Sequence, residues 1–576
     1  MYILLIPYFL YTYLKIIHGM QMLQQNFYNE GNRYLNWIIK NKYKTIITPD
    51  LFGLFLIILP LFNNNLLIFI ILFIFYLILF FYRYNLKRND QVKLPLVYTF
   101  RIKRLIFTTI LLNILMLYLN YKINNYYILI SSLSILSILA YYQVYIAFLI
   151  NLPIEKIIYN HYKKKARKKL KELNTINIGI TGSYGKTSSK NILHDILSVK
   201  YRTYASPGNL NTPLGLMKTI NNYLDKFEEI FIAEMSVADK KSNDVKRSCD
   251  IVKPKYGIIT NIGIAHLENF KTIENIQKAK FELIENLPEN GIGVLNADDP
   301  KQVEYKIKNK CKIIWIGIDN KADIYATNIK YTYEGTTFDC IFKKDNKKIS
   351  LKTCLFEKPN IYNILAALAI AYELGLSYDE MIKGVSNIKP IEHRLQVKKL
   401  QNYTIIDDAY NSNPVGSKMA VDVLDLMPGR KIIVTPGMIE LKDKEYDANY
   451  EFGRQISKVA DYTILIGKKQ TKPIYNGLLS NNYDKNKIFV LNDVKDAFTL
   501  IEKLRDNKTY VLLENDLPDL FNEKKMSKWH FFHYIFQDIL VLFYMIQHHL
   551  VVLHFCLLLI DIFPILFQVQ ILNLLF

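Results

Sequence analysis

The segment Thr181-Gly182-Ser183-Tyr184-Gly185-Lys186-Thr187-Ser188 concentrates residue types that handle phosphate. Glycines let the backbone wrap an anion, and the start of a following helix supplies unpaired N–H groups. Lys186 is placed to neutralise β- and γ-phosphate charge, and the Thr187 hydroxyl to hold Mg²⁺. The commoner phosphate loop carries a glycine at position 180, where this chain has Ile180. That departure points away from GTPases and motor ATPases.

A strand and a helix must hold such a loop. Ile176, Ile178 and Ile180 alternate before it, and Ile192, Leu193, Ile196 and Leu197 fall on one helical face after it. Further strand-like runs cover residues 230–233, 257–260 and 293–295. A second set begins near Arg394, with strands at 403–406, 431–434, 462–466 and 510–513. Short apolar strands alternating with helical periods predict parallel α/β sheets. There is no internal repeat.

The 576 residues exceed one core and suggest three or more units. Apolar residues make up 51% of the chain and crowd into the first 150 residues and the last 50. Met1–Ile17, Ile46–Phe62, Leu66–Tyr82, Leu105–Tyr121 and Tyr126–Ile150 each approach the length that crosses a bilayer. Basic residues flank the two hairpins on one side: Arg33 to Lys44, Arg83 to Arg104 and Lys156 to Lys171. The positive-inside rule then gives five spans, an external N-terminus and a cytoplasmic remainder. Residues 1–152 are read as this membrane region and 153–173 as a basic juxtamembrane linker, suited to anionic headgroups or simply solvated. Much of the +21 net charge lies in these loops, so no nucleic-acid partner is inferred from it. Residues 526–576 are an apolar tail, read as a membrane segment or a frameshift product. Cys249, Cys311, Cys340, Cys354 and Cys556 form no CxxC pair, which argues against a zinc site or a disulfide framework.

From about Ile176 to Glu523 the chain resembles the Mur ligase family, whose phosphate loop has the shorter TGxxGKT/S form. The segment from Ser206 to Gly215 is similar to the Asn-rich loop that follows the phosphate-loop helix. The resemblance extends to Ala233-Glu234-Met235-Ser236, to Thr260 through Glu268, to Asn296-Ala297-Asp298-Asp299-Pro300 and to Glu392-His393-Arg394-Leu395. Asp407-Asp408-Ala409-Tyr410-Asn411-Ser412-Asn413-Pro414 resembles the signature of the branch that adds D-alanyl-D-alanine. The implied fold is α/β: a Mur ligase central P-loop ATPase domain (174–389) and a Rossmann-like C-terminal domain (390–525), here preceded by an all-α, multi-span membrane region.

The resemblance also implies roles. Gly182, Ser183, Tyr184, Gly185, Lys186, Thr187 and Ser188 would hold ATP, with Asn296 near the nucleotide. Asn363 would approach the adenine, although a helix-start cap is the other reading of that residue. Thr187, Glu234, His266 and a carbamylated Lys280 would ligate two Mg²⁺ ions, with Lys278 the neighbouring choice of register. Arg394 would reach the ATP phosphates from the second domain, where its fork suits developing negative charge. Asp408 would meet the ribose or orient the closed cleft, and Asn411 would line the acceptor and nucleotide side. Lys186, Glu234, His266, Lys280 and Arg394 form the implied catalytic set.

The reaction expected from the resemblance joins D-alanyl-D-alanine to UDP-N-acetylmuramoyl-tripeptide through an acyl phosphate, in peptidoglycan precursor synthesis. Relatives carry a UDP-gripping N-terminal domain where this chain has apolar segments, so a lipid-linked donor is a second candidate. The expected site of action is the cell membrane, touching lipid, with the catalytic domains in the cytoplasm. Another amide ligase of the same fold is an alternative. A membrane scaffold or transport subunit is another, though the chain has neither an LSGGQ-like signature nor a hydrophobic-Asp-Glu strand end.

Overall fold

Strand β1 (Ile176–Thr181) is the axis of the larger sheet, and its alternating isoleucines explain why. Ile178 and Ile180 are fully buried against helix α7 (Lys186–Leu197), whose Ile192, Leu193, Ile196 and Leu197 form the facing stripe. In this computed structural model the described residues are 6–26, 28, 32–53, 65–89, 95–123, 126–208, 210–237, 243–263, 270–409, 413–439, 441 and 444–515.

Strands β2 (Thr203–Ala205), β3 (Ile230–Glu234), β4 (Tyr256–Ile259), β5 (Ile292–Asn296), β6 (Lys312–Gly317), β7 (Ile324–Thr332), β8 (Gly335–Phe342) and β9 (Lys347–Thr353) complete a sheet of order β2-β3-β1-β4-β5-β6-β7-β8-β9. Pairing is parallel from β2 through β7, with Ile178 beside both Ile232 and Tyr256. The β7-β8-β9 meander is antiparallel, which the sequence reading did not anticipate. Because β1, β3, β4 and β5 run parallel, Gly182, Glu234, Thr260 and Asn296 emerge at one edge of the sheet, where open α/β folds build their sites. One face is covered by α7 and α11 (Lys358–Glu373). The other is covered by α8 (Pro213–Asn222), α9 (Asp244–Val252) and α10 (Ile273–Glu285).

The second sheet, which includes β13 (Tyr462–Ile466) and β14 (Ile488–Leu491), has the order β10-β11-β15-β12-β13-β14 and is parallel except for β10 (Gln396–Lys399). Its central members are β11 (Thr404–Asp408), β12 (Arg430–Thr435) and β15 (Thr509–Glu514).

The N-terminal region is helical: α1 (Ile6–Gln25), α2 (Arg33–Lys40), α3 (Asn65–Asn89), α4 (Phe100–Ile123), α5 (Tyr126–Ile138) and α6 (Ala140–Leu173). It departs from five straight spans. Among the described residues, one helix is long and apolar enough to cross a membrane, Phe100–Asn120; a second counts only if a bent pair is taken as one span. The expected span at 126–150 is broken, with a 77° bend between Ser131–Ile138 and the helix that starts at Ala140. The break is stabilised by polar side chains: Gln143 Nε2 donates to the freed Leu136 carbonyl at 2.7 Å, and Ser137 Oγ donates to Asp50 at 2.8 Å. The expected span at 46–62 begins with a turn at 46–48 and a short 3₁₀ helix at 49–53 rather than an α-helix, and its residues 54–62 lie outside the described residues. Asp50 accounts for the turn region. Its carboxylate is buried on Lys15, 2.7 Å away, and also accepts from the Thr48 hydroxyl. A buried charge needs such a partner, and Pro49 opens the short 3₁₀ helix that carries Asp50, a first-turn position where its missing N–H costs nothing.

Helix α6 runs through the expected boundary at 152/153 without interruption, with Pro153 inside it. Its last turns are not a free linker. Ala166 and Leu170 enter the core beneath α8 and α9, and Lys163 and Arg167 pair with Asp250 at 3.5 Å. Lys164, Lys165, Lys168 and Lys171 stay exposed. The tail 526–576 lies outside the described residues.

Candidate active site at the C-terminal edge of the larger sheet

After β1 the chain turns through Gly182 and Gly185 into α7. Gly185 has φ +76° and precedes the first helical residue, a left-handed conformation that favours glycine. A Cβ on Gly182 would lie 1.9 Å from Thr260 Oγ1, so the loop packs directly on the end of β4. The Ser183 and Tyr184 N–H groups donate to the Asn261 carbonyl and side-chain oxygens at 3.0 and 2.9 Å. Ser183 Oγ is held by the Gly263 backbone, accepting from its N–H at 2.9 Å. The N–H groups open to a phosphate are therefore those at the start of α7, where an α-helix leaves its first donors unpaired. Ser188 is buried in that first turn.

Lys186 Nζ donates to the Gly182 and Ser183 carbonyls at 2.8 and 3.3 Å, arching over the loop. Burial pushes its pKa down. The Glu234 carboxylate opposes that shift, and Arg394 of the second domain adds to it. Arg394 therefore bears electrostatically on the phosphate loop from across the domain boundary. It lies between His393 and Leu395, both at positive φ.

Glu234 is 2% exposed. Its Oε2 accepts from Thr187 Oγ1 at 3.1 Å and faces Lys190 Nζ at 3.1 Å, while Oε1 accepts from Asn211 Nδ2 at 3.0 Å. The adjacent hydroxyl and carboxylate oxygens at the phosphate edge suit a hard cation such as Mg²⁺. Lys280 projects from α10 and is 3% exposed, whereas Lys278 is exposed. Burial, with Lys186 adding positive charge, brings the Lys280 pKa down to about 7. An uncharged amine near neutrality is the form that can add CO₂. His266 and Asn411 lie outside the described residues.

Asn363 is internal to α11, whose N-cap is Glu357, so it is not a helix-start cap. Its amide lies 3.6 Å from where a Cβ on Gly185 would project. Asn296 is buried at the end of β5, and its Oδ1 accepts from the Asp298 N–H at 2.9 Å. Asp298 in turn accepts from Ile318, Asp319 and Asn320 N–H groups and from Tyr362 OH. The 296–299 turn is thus tied to the helix that carries Asn363.

In the second domain, Asp408 ends β11 and accepts from the Leu395 N–H at 3.2 Å. Burial, then the Glu514 charge, raises its pKa to about 7. Glu357 of the first domain is raised to about 8 by burial, Asp408 and Asp422. Sequence reasoning assigned no role to Lys190, Asn211, Asn261 or Glu357. For Lys190 a signal existed, since its four-residue spacing from Lys186 puts both on one face of α7.

The family model for the Mur ligase middle domain matches residues 180–371, and that for the Mur ligase glutamate ligase domain matches 393–513. The UDP-N-acetylmuramoyl-tripeptide--D-alanyl-D-alanine ligase of Bacillus subtilis (strain 168) is 30% identical over 346 residues, covering 59% of this chain and 72% of the relative. The chain belongs to the Mur ligase family. The ligase of the same description from Escherichia coli (strain K12) is 30% identical over 51% of this chain, which spans 64% of that relative's length. The crystal structure of a MurF ligase from Thermotoga maritima in complex with ADP shares 27% identity, with a TM-score of 0.52, covering 62% of this chain and 80% of the other. A MurF structure from Acinetobacter baumannii, at 24% identity and TM-score 0.57 over 62% of this chain and 78% of the other, shares the fold. The Mur ligase matches fall on the two α/β domains; the helices before β1 lie outside both family models.

Proposed function

We propose that this Mur ligase is an ATP-dependent amide-bond-forming enzyme that adds D-alanyl-D-alanine to UDP-N-acetylmuramoyl-tripeptide in peptidoglycan precursor synthesis. The observation that carries the reading is the convergence of Lys186, Thr187 and Glu234 at one sheet edge, under the electrostatic reach of Arg394. The Asp407-to-Pro414 segment and the names of the relatives support the D-alanyl-D-alanine branch.

In this reading the tripeptide's terminal carboxylate oxygen attacks the γ-phosphorus and the bond to the ADP oxygen breaks, leaving an acyl phosphate. The dipeptide amine then attacks the acyl carbon, phosphate leaves, and the amine proton passes to solvent or phosphate. Lys186 and the N-terminus of α7 hold the phosphates, and Arg394 offsets charge developing on the transferred group. Asn363 meets the adenine side, and Asp408 orients the second domain against the first. Asn411 lines the acceptor side. Thr187, Glu234, His266 and a carbamylated Lys280 are the proposed holders of two Mg²⁺ ions, which when bound supply Lewis-acid charge neutralisation at the phosphates.

The N-terminal helices support association with a cell membrane, with the α/β domains on the cytoplasmic side. Ile70, Ile74, Ile78 and Phe81 of α3 and Phe107, Leu111 and Leu115 of α4 are exposed, an apolar surface that water does not favour. The same surface favours a second reading of the donor, as a lipid-linked precursor.

The test is ADP release by detergent-solubilised full-length protein with UDP-N-acetylmuramoyl-tripeptide, D-alanyl-D-alanine and Mg²⁺, omitting each in turn. Release that needs both substrates, with a UDP-pentapeptide product, supports the proposal. Turnover only on a lipid-linked tripeptide favours the second donor. Release that is indifferent to D-alanyl-D-alanine overturns the dipeptide assignment.

A further inference from the structure

Lys190 sits one helical turn beyond Lys186 and is 2% exposed. Its ammonium has three partners: the Ser206 carbonyl at 2.8 Å, the Gly208 carbonyl at 3.2 Å and Glu234 Oε2 at 3.1 Å. An ammonium has three donors, and here each direction has an acceptor, the condition under which a buried lysine is tolerated.

The same small region is closed by other bonds. Ser206 N–H donates to the Ile232 carbonyl and Ser206 Oγ accepts from the Glu234 N–H. At the other end of the segment, Asn211 donates to Glu234 Oε1, and its carbonyl accepts from the Ser236 N–H and hydroxyl. Ser206 and Asn211 therefore both clasp the end of β3, and Lys190 joins that clasp to the phosphate-loop helix through Ser206, Gly208 and Glu234.

We propose that Lys190 is a positioning residue that binds the Glu234 carboxylate and the 206–211 segment into one unit, while its charge stands against a divalent cation at Glu234. The second half rests on the reading of Glu234 as a cation ligand. Two consequences of opposite sign follow. Removing the ammonium frees the segment, which lowers turnover. It also removes a competing positive charge beside the carboxylate, which tightens cation binding. A purely packing role produces the first effect without the second.

The experiment uses full-length K190M, K190R and E234A proteins, with Mn²⁺ and ADP as probes. Hydrogen exchange is read over residues 203–212, and Mn²⁺ half-saturation by electron paramagnetic resonance. K190M is expected to speed exchange in the segment roughly tenfold and lower Mn²⁺ half-saturation by about threefold, with kcat falling about tenfold. The KM for ATP should stay within about threefold, because the ATP-holding groups are intact. K190R, which keeps the charge, should restore Mn²⁺ half-saturation to within about twofold. Should K190M lack a cooperative melt, K190Q takes its place. Unchanged exchange overturns the strap, and unchanged or weaker Mn²⁺ binding overturns the opposing charge. Wild-type Mn²⁺ binding by E234A would instead sink the ligand reading of Glu234 and leave the exchange result to judge the strap.

Discussion

The side-chain amide of Asn363 rests against Gly185, 3.6 Å from where a Cβ on that glycine would project. Helix α11 thus presents a polar group to the phosphate loop from just before an otherwise apolar buried stretch, Ile364 to Ala371. A buried amide facing the phosphate loop would, on the proposed function, bind ATP through hydrogen bonds and take no part in the chemistry. N363L keeps the volume and removes both donor and acceptor. We expect the KM for ATP to rise by about tenfold with kcat within about threefold, as for loss of an interaction worth 1–2 kcal/mol in both ground and transition state. Steady-state kinetics at varied ATP checks this.

Lys280 carries a pH signature of its own. Its pKa falls from 10.5 to about 7 on folding, so between those values the unfolded chain binds the extra proton. Stability relative to a K280M variant must therefore rise as pH rises from about 7 towards 10.5, and it is lowest at and below 7. The full displacement corresponds to at most about 5 kcal/mol. In CO₂-free buffer K280M should melt higher than the parent at pH 7, with the gap closing by pH 10. Added bicarbonate should narrow the gap at pH 8 for the parent alone. Differential scanning calorimetry reads both.

Glu357 shows the converse. Its carboxyl is raised from 4.5 to about 8, so the folded protein holds the proton that the unfolded chain releases. Stability relative to E357Q should fall as pH rises from about 4.5 to 8 and level off above. Thermal melts of both proteins at pH 5, 6, 7 and 8 measure the slope. Parallel curves would show that neither burial nor the Asp408 and Asp422 charges raise this carboxyl.

The docking of α6 separates charge from packing. Lys163 and Arg167 meet Asp250 at 3.5 Å but are partly exposed, so D250N should cost less than about 1 kcal/mol. Ala166 is fully buried, and A166D would place an unpaired carboxylate in the core at about 3–5 kcal/mol. Denaturant unfolding of the α/β domains, followed by hydrogen exchange in α9, distinguishes the two.

The chemistry was legible where short-range spacing carries it. The Gly182-to-Ser188 loop and the stripe Ile192, Leu193, Ile196 and Leu197 depend on local geometry, and the structure places them as read. What escaped the sequence reading depends on partners far along the chain. Asp50 vanished into an apolar average because its lysine partner is 35 residues away. Lys190 on a helix face looks no different from a solvated lysine until the Ser206 and Gly208 carbonyls and Glu234 are brought to it. The bend at Leu139 depends on Gln143 turning back to a carbonyl, a choice that hydropathy does not register. The β8–β9 hairpin has the right alternation, yet its antiparallel return is a matter of topology.

Helix α6 has one end among the apolar helices and the other in the core of the larger sheet, so its phase is a mechanical setting. Each residue turns an α-helix by about 100° and lifts it by about 1.5 Å. One residue added to the exposed middle of α6 would swing the candidate site to another side of the helical bundle with its residues untouched. Four added residues would return it nearly to its original heading, about 6 Å further out. The direction in which the cleft faces is thus written in the length of one helix.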